Sequence, residues 1–224
     1  MLMPLLLSLA TITFAQPVDS YPAQAMWADL DVTAPVPNCN NFTVDIYINL
    51  TAAGMSSGAN GMWAWEFKLY YESDKLNATG YTDNLPDASW DSPNSVVAGA
   101  GIEYGFNATH DRIHRAVSAL PFVSPFPTAF VGVMSVCTID FHVIYEGAQY
   151  DAPLIFAKNY GFDANLGDDT GEVIVFTAYD NTVPVVPEFP VALIMPIFML
   201  ATLVVVILGK TAWSRKRMSD IVVR

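Results

Sequence analysis

Basic residues are scarce in this 224-residue chain, where ten Lys and Arg stand against 22 Asp and Glu. Half of those bases (Lys210, Arg215, Lys216, Arg217 and Arg224) sit in the last fifteen residues. Everything upstream of Lys210 therefore holds 21 acids and five bases, a formal charge of −16. This excludes nucleic acid as a partner, because phosphate binding needs clustered Lys and Arg. Cations, or a basic protein surface, are the electrostatically favoured contacts. Helical periodicity is missing between residues 26 and 180. Catalytic constellations are missing too. No pair of carboxylates stands where a glycosidase would need its acid and base. Gly54-Met-Ser56-Ser-Gly58 has the spacing of a nucleophile elbow, but a Trp-rich strand follows it where the elbow needs a helix. His110 and His114, with Asp111 between them, lie ~13 Å apart on an extended strand, too far to share one metal ion. The chain reads as non-catalytic.

What the chain has in abundance is apolar sequence at both ends. Residues 191–209 (VALIMPIFMLATLVVVILG) contain no ionisable group. Nineteen helical residues span ~28 Å, about the hydrocarbon thickness of a bilayer. The basic cluster behind this run predicts a cytoplasmic tail at 210–224, by the positive-inside rule. Residues 1–15 (MLMPLLLSLATITFA) end in a small-x-small pattern and are expected to be a signal peptide. The expected organisation is a signal peptide at 1–15, an outer domain at 16–183, a linker at 184–190, a single span at 191–209 and the tail. The outer domain is thereby placed outside the cell.

Period-2 alternation dominates that domain. Phe42, Val44, Ile46, Ile48 and Leu50 alternate with Thr43, Asp45, Tyr47 and Asn49, which describes a half-buried strand. Trp63 to Tyr71, Ile102 to Thr109 and Val131 to Tyr145 read the same way. Further strands are expected at 27–33, 112–120, 153–157 and 172–179, with turns at 56–61, 83–93, 121–127 and 163–171. Eight or nine strands, each with one apolar face, predict an all-β two-sheet sandwich. Four sequons, at Asn41, Asn49, Asn77 and Asn107, are candidate glycosylation sites. Asn41, Asn49 and Asn107 fall on the polar parity of their strands.

Cysteine occurs only at Cys39 and Cys137. In an oxidising compartment this pair is expected to form one disulfide between neighbouring strands, closing a loop whose constraint contributes about 4–5 kcal/mol. The alternative is two unpaired thiols, with Cys137 a small core residue. Asp163, Asn165, Asp168 and Asp169 place oxygen ligands among turn-forming glycines, as Ca²⁺ requires. Gly167 interrupts the usual calcium-loop pattern, so a plain acidic hairpin is the competing reading, and no other cofactor is expected. Tyr47 and Tyr70 lie on the solvent parity of strands expected to be adjacent, where a flat pair of rings could stack on sugars or meet a partner.

Phe67-Lys-Leu-Tyr-Tyr71-Glu-Ser-Asp-Lys-Leu76 resembles the strand, Tyr-Asp-Pro and Leu segment of cohesin domains, with Glu72-Ser73 in place of Asp-Pro. Arg112-Ile-His-Arg-Ala-Val-Ser-Ala-Leu-Pro121 resembles the strand that follows. Val131 to Val143, with Gly147 and Leu154, resembles their closing Ile-x-Phe-x-Val, Gly and Leu pattern. The likeness runs from about residue 27 to 179 and falls mostly on core positions. It implies a jelly-roll sandwich related to cellulose-binding modules, with a dockerin-like protein as partner. Polysaccharide is the alternative ligand, and a purely structural envelope role is a further one. Pro187-Glu-Phe-Pro190, the apolar run and the basic cluster are similar to sorting tails of archaeal surface proteins, in which the tail is cut and replaced by a lipid anchor.

Overall fold

The computed structural model describes residues 22–32, 35–51, 59–91, 95–120, 127–158 and 165–186. The chain separates into two units at 187/188, and all of these residues belong to the first. Among them no helix is long and apolar enough to cross a membrane, and the apolar runs 1–15 and 191–209 lie outside them.

The alternating segments form strands. They are β1 (Ala25–Leu30), β2 (Val36–Pro37), β3 (Asn41–Leu50), β4 (Met62–Glu72), β5 (Leu76–Asp83), β6 (Ser95–Glu103) and β7 (His110–Ala119). After these come β8 (Gly132–Val143), β9 (Tyr150–Phe156), β10 (Asn165–Asp168), β11 (Thr177–Tyr179) and β12 (Asn181–Val186). Twelve strands among the described residues replace the expected eight or nine, the surplus coming from short pieces such as β2, β10 and β11. They build two sheets. One has five strands in the order β11-β1-β3-β8-β5; the other has seven, β2-β12-β9-β4-β7-β6, with β10 on the β4 edge that β9 leaves uncovered.

The inward side chains of the two sheets make one core. Val44, Ile46 and Ile48 of β3 and Ile139, Phe141 and Val143 of β8 are fully buried, as are Phe67, Leu69 and Tyr71 of β4. Phe141 meets Tyr71 edge-on across the sheets, with centroids 5.1 Å apart. Each such large side chain contributes about 1.5–3 kcal/mol by leaving water. One polar tie also joins the layers. Arg115 of β7 faces inward, and its guanidinium grips the Asp83 carboxylate at the end of β5 with Nε and Nη2. It lies 4.4 Å from the Tyr81 ring centroid. Losing one partner of such a buried bidentate pair would strand the other charge.

The expected disulfide does not form, and both thiols are free. Cys39 belongs to the turn before β3, where its backbone N–H donates to Val143 O at 2.9 Å. Cys137 pairs with Ile46, seven residues further along β3. At ~3.3 Å per residue the two lie roughly 20 Å apart, against the ~7 Å Cα limit for a bridge. Cys39 sits in the turn beside the Val143 end of the β3–β8 ladder, whereas Cys137 lies midway along it.

Candidate functional site

The outer face of the seven-stranded sheet gathers the most varied chemistry. Strands β4 and β7 pair antiparallel, with Glu66 opposite Ala116, Lys68 opposite His114 and Tyr70 opposite Arg112. On the far side of β7, Glu103 of β6 stands opposite Arg112. Period-2 geometry turns all of these outward together. A ladder of polar bonds results. Asn165 Nδ2 donates to Glu66 Oε2 at 3.1 Å, and His114 Nε2 donates to Glu66 Oε1 at 2.8 Å. His114 Nδ1 lies 3.8 Å from Glu103 Oε1, and Arg112 Nη2 donates to Glu103 Oε2. Burial alone would lower the Arg112 guanidinium, but its bonds to Glu103 and Tyr70 hold it above its ordinary value.

Aromatic rings close one end of this ladder. Arg112 lies 4.1 Å from the centroid of Phe106, in the β6–β7 turn, and Phe106 packs 5.3 Å from Tyr70. Phe106 is 42% exposed, so its ring is held by Arg112 and still reaches solvent. At the other end three alanines, Ala64, Ala98 and Ala116, floor a half-open depression of about 190 Å³ beside Val96 and Glu66. Small side chains on three successive strands leave the space. A glycine bulge shapes the β6 side of this depression: Gly99 has φ +93°, and a Cβ there would meet His114 O at 2.5 Å.

The structure corrects the expected tyrosine pair. Tyr47 lies on β3 in the five-stranded sheet and Tyr70 on β4 in the seven-stranded one, so they face opposite sides of the sandwich. The β3–β4 connection crosses between sheets, whereas adjacency in sequence usually means pairing. Tyr47 instead stacks on Trp27, with centroids 5.5 Å apart and planes 12° from parallel. Burial, then the nearby carboxylates of Asp45 and Asp29, push the Tyr47 phenol above its ordinary value.

In the acidic hairpin, Asp163 lies outside the described residues, as does the Gly54–Gly58 segment. Asn165 is engaged by Glu66. Asp168 Oδ1 accepts from Thr170 N, Thr170 Oγ1 and Glu172 N, which closes the hairpin turn. Asp169 accepts from the backbone and side chain of Asn60. Each of the three thus has a different set of partners, and among the described residues no three His, Cys, Asp or Glu gather as a metal cluster. Of the sequon residues, Asn41 and Asn77 flank His142 on one rung of the five-stranded sheet. Asn107 is exposed in the β6–β7 turn, and Asn49 is half-buried beside Pro22.

Sequence reasoning missed Glu66, Glu103, Phe106 and Arg112 as a group. Parity alone placed Glu66, Lys68 and Tyr70 outward. Which strand lay beside them, and in what register, had no local signal.

A search of family models and a search of curated proteins each match nothing. Solved structures do match. A type I cohesin from Clostridium thermocellum, solved in a cohesin–dockerin complex, superposes with a TM-score of 0.52 at 10% identity, covering 75% of this chain and 98% of that one. The fold is cohesin-like. A non-cellulosomal cohesin from the archaeon Archaeoglobus fulgidus gives a TM-score of 0.47 at 12% identity over 75% of this chain and 94% of that one. A type II cohesin from Bacteroides cellulosolvens gives 0.49 at 14%, over 73% and 99%.

Proposed function

We propose that this chain is a non-catalytic binding module that docks a dockerin-like protein on the outer face of its seven-stranded sheet. The observation that carries this reading is one face that holds the Tyr70–Phe106–Arg112 cluster at one end of the polar ladder and an alanine-floored depression at the other. Aromatic and arginine anchors that share a face with a small apolar pocket are the usual composition of interface hot spots. The cohesin-like fold supports it, since the Clostridium thermocellum structure holds a dockerin. The module is displayed outside the cell from the single span at 191–209, a reading supported by the apolar run and the basic cluster after it.

The test is capture of purified dockerins, or of secreted proteins carrying them, by the full chain. Phe106→Ala is expected to weaken capture by on the order of tenfold or more. Equal capture by wild type and Phe106→Ala would move the interface elsewhere. Absence of capture across a broad dockerin panel would reject the partner class.

A further inference from the structure

A second cleft opens at the end of the sandwich, where the β4–β5 turn meets the β8–β9 connection. Glu72, Asp74, Lys75, Thr109, Tyr145 and Tyr150 line it, and it encloses about 430 Å³. That lies within the ~300–1,000 Å³ usual for small-molecule sites. None of these residues takes part in the ladder on the seven-stranded face.

The walls are ordered by specific contacts. Tyr145 and Tyr150 pack 5.7 Å apart, tilted by 53°. The Lys75 ammonium lies 4.6 Å from one ring centroid and 5.5 Å from the other, and it is paired with Asp74. Tyr150 Oη donates to Glu72 Oε1 at 3.1 Å, while Glu72 Oε2 is buried and has no hydrogen-bond partner among the described residues. Such an acceptor is costly to leave unmet. The β4–β5 turn is itself tied down, since Ser73 N donates to Thr109 O and Ile144 N donates to Lys75 O. Gly147 lets Tyr145 adopt its place, because a Cβ there would overlap Tyr145 Oη.

This combination selects one ligand class. An external cation is disfavoured, because Lys75 already sits against both rings. An anion would face Glu72 and Asp74. A purely apolar ligand would cover the polar groups of Glu72 and Lys75 in the cleft wall without bonding them. A neutral, polyhydroxylated ligand meets every requirement. Its hydroxyls donate to Glu72 and accept from Lys75, and its C–H face lies on the electron-rich rings. We infer that the Tyr145–Tyr150 cleft is a binding site for a neutral saccharide, built from residues other than those of the protein-docking face.

The probes are neutral hexasaccharides of glucose, xylose, mannose and galactose. They are titrated calorimetrically into the full chain, made in a host that adds no N-glycans and held in a sugar-free detergent. Saturable binding of at least one probe is expected. Tyr145→Ala should weaken it at least tenfold while still capturing the dockerin. Glu72→Gln keeps the side-chain size and removes the charge, so it tests the same site with little risk to folding, and it should also weaken binding severalfold or more. The site would be overturned if none of the four sugars bound, or if binding survived both substitutions unchanged.

Discussion

At the scale of single residues, the five-stranded sheet carries an electrostatic conflict. Asp29 of β1 lies opposite Asp45 of β3. Burial raises the Asp29 carboxyl above its ordinary value; a backbone bond at Leu30 offsets this in part, and Asp45 adds to it. The folded chain therefore holds this proton more tightly than the unfolded chain does. The stability that Asp29 contributes is present below the unfolded value of ~3.9 and lost as pH rises through the higher folded one. Asp29→Asn should accordingly raise the urea midpoint at pH 7, with the gain fading as pH falls below ~3.9. An unchanged or lower midpoint at pH 7 would mean that the Leu30 bond outweighs burial. Cysteine gives a second test at this scale. Burial pushes the Cys137 thiol far up, whereas Cys39 is exposed. Since the thiolate is the reactive form, maleimide should modify one thiol per native chain without reductant and two after unfolding in urea. A native chain with no reactive thiol, and a mass two hydrogens lighter, would restore the disulfide.

At the scale of elements, the long strands were legible because their alternation is uninterrupted. The expected Phe42–Leu50 and Trp63–Tyr71 strands became β3 and β4, each within a residue or so of its bounds. The strands that were missed break the pattern for physical reasons. In β5 (LNATGYTD) the register shifts between Ala78 and Gly80, so the apolar positions change parity midway. Strand β6 was expected at 102–109 but runs 95–103, because small residues and two left-handed glycines hide its alternation; Tyr104–Thr109 is the turn. In the expected 172–179 strand, Ile174 and Phe176 do point inward while Val173 and Val175 are 60% and 80% exposed. The parity held, but apart from a single bridge between Val173 and Gly167 only 177–179 pairs as a strand. Pro184 concealed β12; it stands opposite Asp151 of β9, one residue before the short pairing with β2 begins. The site follows the same logic: outward parity could be read, pairing could not. The β6 bulge is where this scale can be tested. Gly99→Ala forces a side chain into φ +93° and against His114 O. It should cost more than about 1 kcal/mol in urea unfolding and shift the β6–β7 register. A change of only a few tenths would show that the bulge relaxes freely.

At the scale of the whole molecule, charge separates into an acidic domain and a basic tail. Within the domain four of the five cations have a carboxylate partner in an ion pair, Lys75 with Asp74, Arg112 with Glu103, Arg115 with Asp83 and Lys158 with Asp180, and Lys68 is engaged as well. The surplus acid leaves the domain strongly negative, so it repels anionic surfaces and draws basic ones. The tail has the opposite requirement. Carrying Lys210, Arg215, Lys216 and Arg217 outward across an inside-negative membrane would be opposed by about 2.3 kcal/mol per charge per 100 mV. The acids of the β-domain would raise little barrier to the proposed export, since they weigh little in the orientation rule. The proposed display thus predicts an asymmetric digestion. Protease added to intact cells should remove epitopes on the sandwich and spare a tag fused after Arg224, while lysed cells should lose both. If the tag were cut on intact cells and the β-domain survived, the orientation would be reversed. The seven-stranded face and the Tyr145–Tyr150 cleft would then meet cytoplasmic ligands, and neither a secreted dockerin nor an envelope polysaccharide could reach them.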